Sequence, residues 1–366
     1  HNNFERYKIK IFNLRVINLK EENTKREEEM QNDPIPELQP DPPRAFRVNM
    51  HLIIVAIIVI VAGTAIFRLM RWNQGTVSDY DPDFISTDFD VEELDMIIPM
   101  DQARLAGRED DGELHILCLG NNPFSDETGK NGLAAMIAEK TDATVYNAAF
   151  PDSSVACKYA VYNPEYRDDL FNLYYVSQSF ITGDFLNAIE SVAVEKEADA
   201  YKEAIQVLKG LDMDKIDVIV IMYDSTDYNM LTPSDNPANP YDVTSYTGGL
   251  RLALKNIQEA YPYIRIFLMS HSYAEYLDED GDVKSGTTTD LGHGDLPHYL
   301  QMQVEVAMDQ GVSFVDNYFG TINEDNYKEY LSDHMHYNKK GREKLAERIA
   351  DIIIHKSGTV SSETGQ

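Results

Sequence analysis

Five short apolar runs constrain this chain most: Leu114–Leu119, Thr144–Asn147, Asp217–Tyr223, Arg265–Ser270 and Ser313–Asp316. Their apolar residues follow one another without polar alternation. That is the pattern of strands buried on both faces, which belong to parallel sheets covered by helices above and below. Segments of helical period fall between them, near Leu133–Glu139, Leu250–Tyr261, Leu300–Met308 and Arg342–Ile354, and a longer, mostly helical stretch fills 165–210. In the last of these helices Leu345, Ile349, Ile352 and Ile353 share one face. The alternation predicts an α/β fold, a three-layer α/β/α sandwich around a parallel five-stranded sheet, over residues 113–358.

A different signal precedes that domain. From Leu52 to Phe67 the sequence reads LIIVAIIVIVAGTAIF, without a charge or a polar face. Sixteen helical residues span about 24 Å, and Leu69, Met70 and Trp72 extend the run toward the ~30 Å of a hydrocarbon core. The stretch 50–72 therefore predicts a single transmembrane helix rather than a buried core helix or a signal peptide. Residues 1–49 are polar and proline-rich from Pro34 to Pro43, and predict a disordered cytoplasmic tail. Residues 73–112 read as an acidic linker and 359–366 as a second disordered tail. Arg44 and Arg47 balance Arg68 and Arg71 across the span. The further Lys and Arg of the tail, against the acidic 79–95, orient the N-terminus inside and place the large domain outside a cell membrane.

The balance of 62 acidic against 32 basic residues, a formal charge of -30, excludes a phosphate-backbone partner such as nucleic acid. Cys118 and Cys157 are too few for a disulfide scaffold and read as buried free thiols. No metal and no organic cofactor are expected, since neither a ligand cluster nor a phosphate-binding glycine loop is present. Asp278–Asp282 reads as a hairpin turn rather than a calcium loop, because Gly281 falls too early and Thr289 stands where a bidentate glutamate is needed. His293 and His298 read as loop residues.

In a doubly wound sheet, sites form at the carboxyl ends of the strands. The segments there are Gly120-Asn121-Asn122-Pro123-Phe124-Ser125-Asp126, Asn147 through Ser154, Asp224-Ser225-Thr226-Asp227, Ser270-His271-Ser272-Tyr273, and Asp333-His334-Met335-His336-Tyr337-Asn338. Their order and placement resemble the SGNH/GDSL hydrolases over about residues 113–356. Asp333 and His336 have that family's Asp-x-x-His spacing, with Asn338 and Gly341 following before an amphipathic helix.

The resemblance implies a flavodoxin-like sheet, with His336 as general base and Asp333 orienting it. A serine hydroxyl is a poor nucleophile until an imidazole takes its proton, and a carboxylate fixes the imidazole tautomer. The family's Gly-Asp-Ser is here Gly120-Asn121-Asn122, and asparagine cannot form an acyl-enzyme intermediate. Ser125 is then the candidate nucleophile, or a turn residue. Asn122, Asp152 (at the family's glycine) and Thr226 (at its asparagine) are the implied oxyanion-hole positions. Gly120, Asn121, Asp224 and Asp227 stand in support. The implied activity is that of a membrane-anchored extracytoplasmic esterase or acyltransferase acting on O-acyl, foremost O-acetyl, groups of cell-envelope glycans or on small esters. The alternative is a catalytically inactive module that binds a glycan or a partner protein.

Overall fold

The computed structural model describes residues 94–356 apart from 101, 106–107, 109–110, 183–188, 190–191, 193–198 and 279. In chain order the helices are α1 (Gln102–Leu105), α2 (Asn122–Ser125), α3 (Leu133–Thr141), α4 (Leu173–Thr182), α5 (Asp199–Gly210), α6 (Thr226–Asn229), α7 (Tyr246–Ala260), α8 (Leu296–Gln310), α9 (Tyr327–Tyr330) and α10 (Lys339–Asp351). The strands are β1 (His115–Gly120), β2 (Thr144–Asn147), β3 (Val218–Met222), β4 (Arg265–Met269), β5 (Glu275–Leu277), β6 (Val283–Ser285) and β7 (Ser313–Val315). The five expected strands pair in parallel in the order β2-β1-β3-β4-β7. This is the doubly wound order with one reversal, and it places the crevice at the carboxyl ends of β1 and β3.

Successive side chains of each strand enter opposite cores. Leu117, Leu119, Ile219, Ile221, Ile266, Leu268 and Phe314 pack with α4, α5, α7 and α8. Ile116, Cys118, Val218, Val220, Met222, Phe267, Met269 and Val315 pack with α3 and α10. The period-2 geometry of a strand divides a continuous apolar run between two faces, which is why these strands show no polar alternation.

Helix starts fall upstream of their apolar residues because caps decide them. Ser245 accepts the N–H of Gly248, so α7 begins four residues before Leu250. Asp295 caps α8 ahead of Pro297, and Gly311 ends it in the left-handed region. Asn338 Oδ1 accepts from Gly341 N at 3.1 Å and fixes where α10 leaves the Asp333–His336 loop.

Residues 94–100, expected to be linker, belong to the domain. Met96 pairs antiparallel with Phe314 across the outer edge of β7, with N···O distances of 2.9 and 2.8 Å. Ile98 N donates to Ser313 Oγ, and Asp95 meets Arg348 at 2.8 Å. The acidic run before it conceals that the one carboxylate of 94–100, Asp95, is matched to a largely buried arginine.

The predicted transmembrane span at 50–72 and both predicted tails lie outside the described residues. Among the described residues no helix is long and apolar enough to cross a membrane. The antiparallel hairpin β5–β6 turns between Asp278 and Asp282, and Asp278 Oδ1 accepts the N–H groups of Asp280 and Asp282. Cys118 and Cys157 are free and buried.

A candidate active site at the carboxyl edge of the sheet

The site begins where β1 runs into α2. A Cβ on Gly120 would lie 1.9 Å from Met222 O, so only glycine lets β1 close onto β3 here. Beyond it, Asn121 is fully buried. Its Nδ2 donates to Ser153 O at 2.9 Å and to Asp224 Oδ1 at 2.8 Å, and its Oδ1 accepts Asp224 N at 3.0 Å. One side chain thus laces the ends of β1, β2 and β3 together.

Asn122, at the family's serine position, is also buried and held at both ends. Its Nδ2 donates to Asp224 Oδ2 at 2.9 Å, and its Oδ1 accepts Asp152 N at 2.9 Å. Asp224 is the hub. Its Oδ1 also accepts the N–H of Thr226 at 2.9 Å and the Thr226 hydroxyl at 2.6 Å. The Thr226 hydroxyl therefore spends its proton on Asp224 instead of facing an oxyanion. Asp227, buried, accepts the N–H groups of Val155 and Ala156 at 2.8 and 3.2 Å, tying the loop after β2 to the start of α6. Burial pushes its carboxyl up to about 6 against those two donors.

Asp152 has φ +54, in the left-handed region that favours glycine. Aspartate, with its short polar side chain, tolerates that conformation. Its backbone N–H points at Asn122 Oδ1, while its side chain is exposed.

The Asp333–His336 loop closes the site. Asp333 Oδ2 lies 2.8 Å from His336 Nδ1, and Asp333 Oδ1 accepts the backbone N–H of Met335 and of His336 at 2.9 and 2.8 Å. The carboxylate is fixed by its own loop before it fixes the ring. Partial burial opposes the charge of His336. The Asp333 hydrogen bond and the fields of Asp126, Asp333 and Asp224 outweigh it and hold the imidazole above 6.5. Asp333 is itself held below its ordinary value. Burial works against that, but the Met335 and His336 N–H groups and the His336 ring prevail.

Ser125 is not brought to this base. Its Oγ is buried without a hydrogen-bond partner, and it lines a separate cavity of about 440 Å³ walled by Ala134, Ala135, Ala138 and Ala149. Asp126, the next residue, is the one that senses His336. Partial desolvation raises its carboxyl, His336 opposes, and the charges of Asp224, Asp152 and Asp333 add to the rise, which reaches about 6. Asp126 was not singled out from sequence. Its signal was its place one helical turn past Asn122, confirmed by Asp126 N donating to Asn122 O at 3.0 Å. Among the described residues no three His, Cys, Asp or Glu side chains converge as metal ligands. His298 Nε2 lies 3.1 Å from Ser234 Oγ, away from this loop.

No family model and no curated protein matches the chain. Solved structures do. One described as a possible lipase from Chitinophaga pinensis is 15% identical, with a TM-score of 0.43 over 66% of this chain and 98% of that one. The M. smegmatis aryl esterase is 14% identical, with a TM-score of 0.40 and the same coverages. A carbohydrate acetylesterase from Sinorhizobium meliloti is 13% identical, with a TM-score of 0.40, again over 66% and 98%. The sheet order and the Asp333–His336 block fit an SGNH/GDSL-like α/β fold. Its departures from that pattern lie at Asn121, Asn122, Asp152, Asp224 and Thr226.

Proposed function

We propose that this chain acts on O-acyl esters, foremost O-acetyl groups of cell-envelope glycans, and that His336 serves as base toward a water or a substrate hydroxyl instead of a protein serine. The observation that carries this reading is the 2.8 Å contact between His336 Nδ1 and Asp333 Oδ2, at the carboxyl edge beside an asparagine that cannot be acylated. In hydrolysis, His336 Nε2 takes a proton from water as its oxygen bonds to the acyl carbon. The tetrahedral intermediate then expels the sugar oxygen, which recovers the proton from His336, leaving the free acid and the alcohol. Asn122 Nδ2 gives one hydrogen to Asp224 and has a second to offer the developing oxyanion. Membrane anchoring through 50–72 and an extracytoplasmic domain belong to this proposal on the strength of the sequence alone.

A second reading, binding of an acylated glycan without turnover, is favoured by one observation. Asn122 Oδ1 already takes the Asp152 N–H that an acyl oxyanion would need.

The full-length protein should be incubated with acetylated xylan and with an aryl acetate, with and without a fluorophosphonate probe, beside His336→Ala. Acetate release that disappears in His336→Ala without any serine adduct supports the water mechanism. An adduct on Ser125 that depends on His336 overturns it in favour of a displaced serine. Binding without release establishes the second reading.

A further inference from the structure

A cavity of about 210 Å³ adjoins the site and shares Asp152 with it. Its lining divides in chemistry. Asp152, exposed, Asp168 and Asp169 bring carboxylates and Lys158 one ammonium, while Met230, Leu231 and Pro233 are apolar. Met230 and Leu231 are 47% and 48% exposed, so neither supports the core.

Leu231 also has φ +59, a left-handed conformation that strains a branched residue. The chain around it imposes that backbone. Leu231 N donates to Tyr228 O and Thr232 N to Asp227 O, both at 3.0 Å. Glycine would satisfy the same turn without strain. A strained, solvent-facing leucine beside a candidate site has no evident use in folding, and such outliers concentrate where ligands are held.

We propose that Met230, Leu231 and Asp152 form a subsite for a pyranose ring that carries no carboxylate. The C–H face of the ring lies on Leu231 and Met230, and a hydroxyl or ring amino group donates to Asp152. A uronate is disfavoured, because the lining carries the carboxylates of Asp152, Asp168 and Asp169 against a single ammonium, Lys158, whose Nζ already lies 4.3 Å from the Tyr166 ring centroid. The subsite rests on the glycan reading above and specifies the sugar that the reading leaves open.

The test uses the full-length protein and saturation-transfer NMR with two probes, triacetylchitotriose and trigalacturonate, neither of which carries an O-acetyl ester. Chitotriose should bind and trigalacturonate should not. Leu231→Gly should raise Tm while weakening chitotriose binding at least about tenfold, a combination that a merely structural leucine would not give. Asp152→Asn, which tolerates the same φ, should weaken binding several-fold. Unchanged binding in Leu231→Gly, or equal binding of trigalacturonate, overturns the subsite. Binding is read without turnover, so a failure of ester cleavage leaves this result standing. Conversely, acetate release whose KM ignores Leu231→Gly removes the subsite and keeps the activity.

Discussion

The Asn122 side-chain oxygen accepts the backbone N–H of Asp152 at 2.9 Å, so the residue in the nucleophile's place occupies the donor that a substrate carbonyl would seek. Asn122→Ser shortens that side chain, frees the donor and supplies a hydroxyl on the same turn. A fluorophosphonate adduct should then form at the substituted position and vanish when His336→Ala is added. The variant also leaves Asp224 Oδ2 and Asp152 N short of partners, and urea unfolding should show a loss of about 1–3 kcal/mol.

His336 should titrate above 6.5, because its charged form gains more from Asp333, Asp126 and Asp224 than burial takes away. The stability that this raised value contributes is fully present below pH 6.5 and is lost as pH rises through the folded value. A base must be neutral, so any ester cleavage should run the other way and increase with pH through that same midpoint. Imidazole proton shifts followed by NMR would locate it. Asp333→Asn should lower the midpoint, and a midpoint that does not move would show that the 2.8 Å contact is not maintained in solution.

Asp227 carries the opposite linkage to a salt-bridged carboxylate. Its folded value of about 6 exceeds the unfolded 3.8, so the native state holds its proton more tightly and stability falls as pH rises from about 4 to 6. The difference corresponds to about 3 kcal/mol. Asp227→Asn has no proton to lose, and its unfolding free energy measured from pH 4 to 7 should lack that decline. Equal slopes in the two proteins would be incompatible with a carboxyl ionising inside the loop.

Gly120→Ala should remove at least about 3 kcal/mol, since the added methyl would be driven into Met222 O at 1.9 Å and neither strand can retreat. The thermal midpoint, or failure to obtain folded protein, reports it. A tolerated alanine would mean that β1 and β3 stand further apart than described.

Much of the fold could be read in advance because its governing signal is local. Val218 through Met222 are all apolar and enter two cores by simple alternation, and the same holds for Ile116–Leu119 of β1 and Ile266–Met269 of β4. Helix starts were harder. Ser245 and Asp295 act through single hydrogen bonds that leave no apolar trace. The Asp333–His336 pair was legible because its spacing closes a loop on itself. Ser125 lines a separate cavity, since closeness in sequence to Asn122 does not say which side of a short helix a side chain takes. Asp126 was passed over as one carboxylate among 62 acidic residues. The locking of Asn122 depends on Asp152 and Asp224, some 30 and 102 residues away, and no pattern along the chain announces it.

The strand-like segment at Leu94–Met100 has a mechanical side. Any tension arriving along the chain from residues before 94 enters the domain at the rim of the sheet, through the paired Met96 and Phe314, the Asp95–Arg348 contact, and Arg265 donating to Ile98 O at 2.6 Å. These contacts are made by β7, β4 and α10. The segment thus works as a clasp, fastening the outer edge of the sheet to the last helix of the domain.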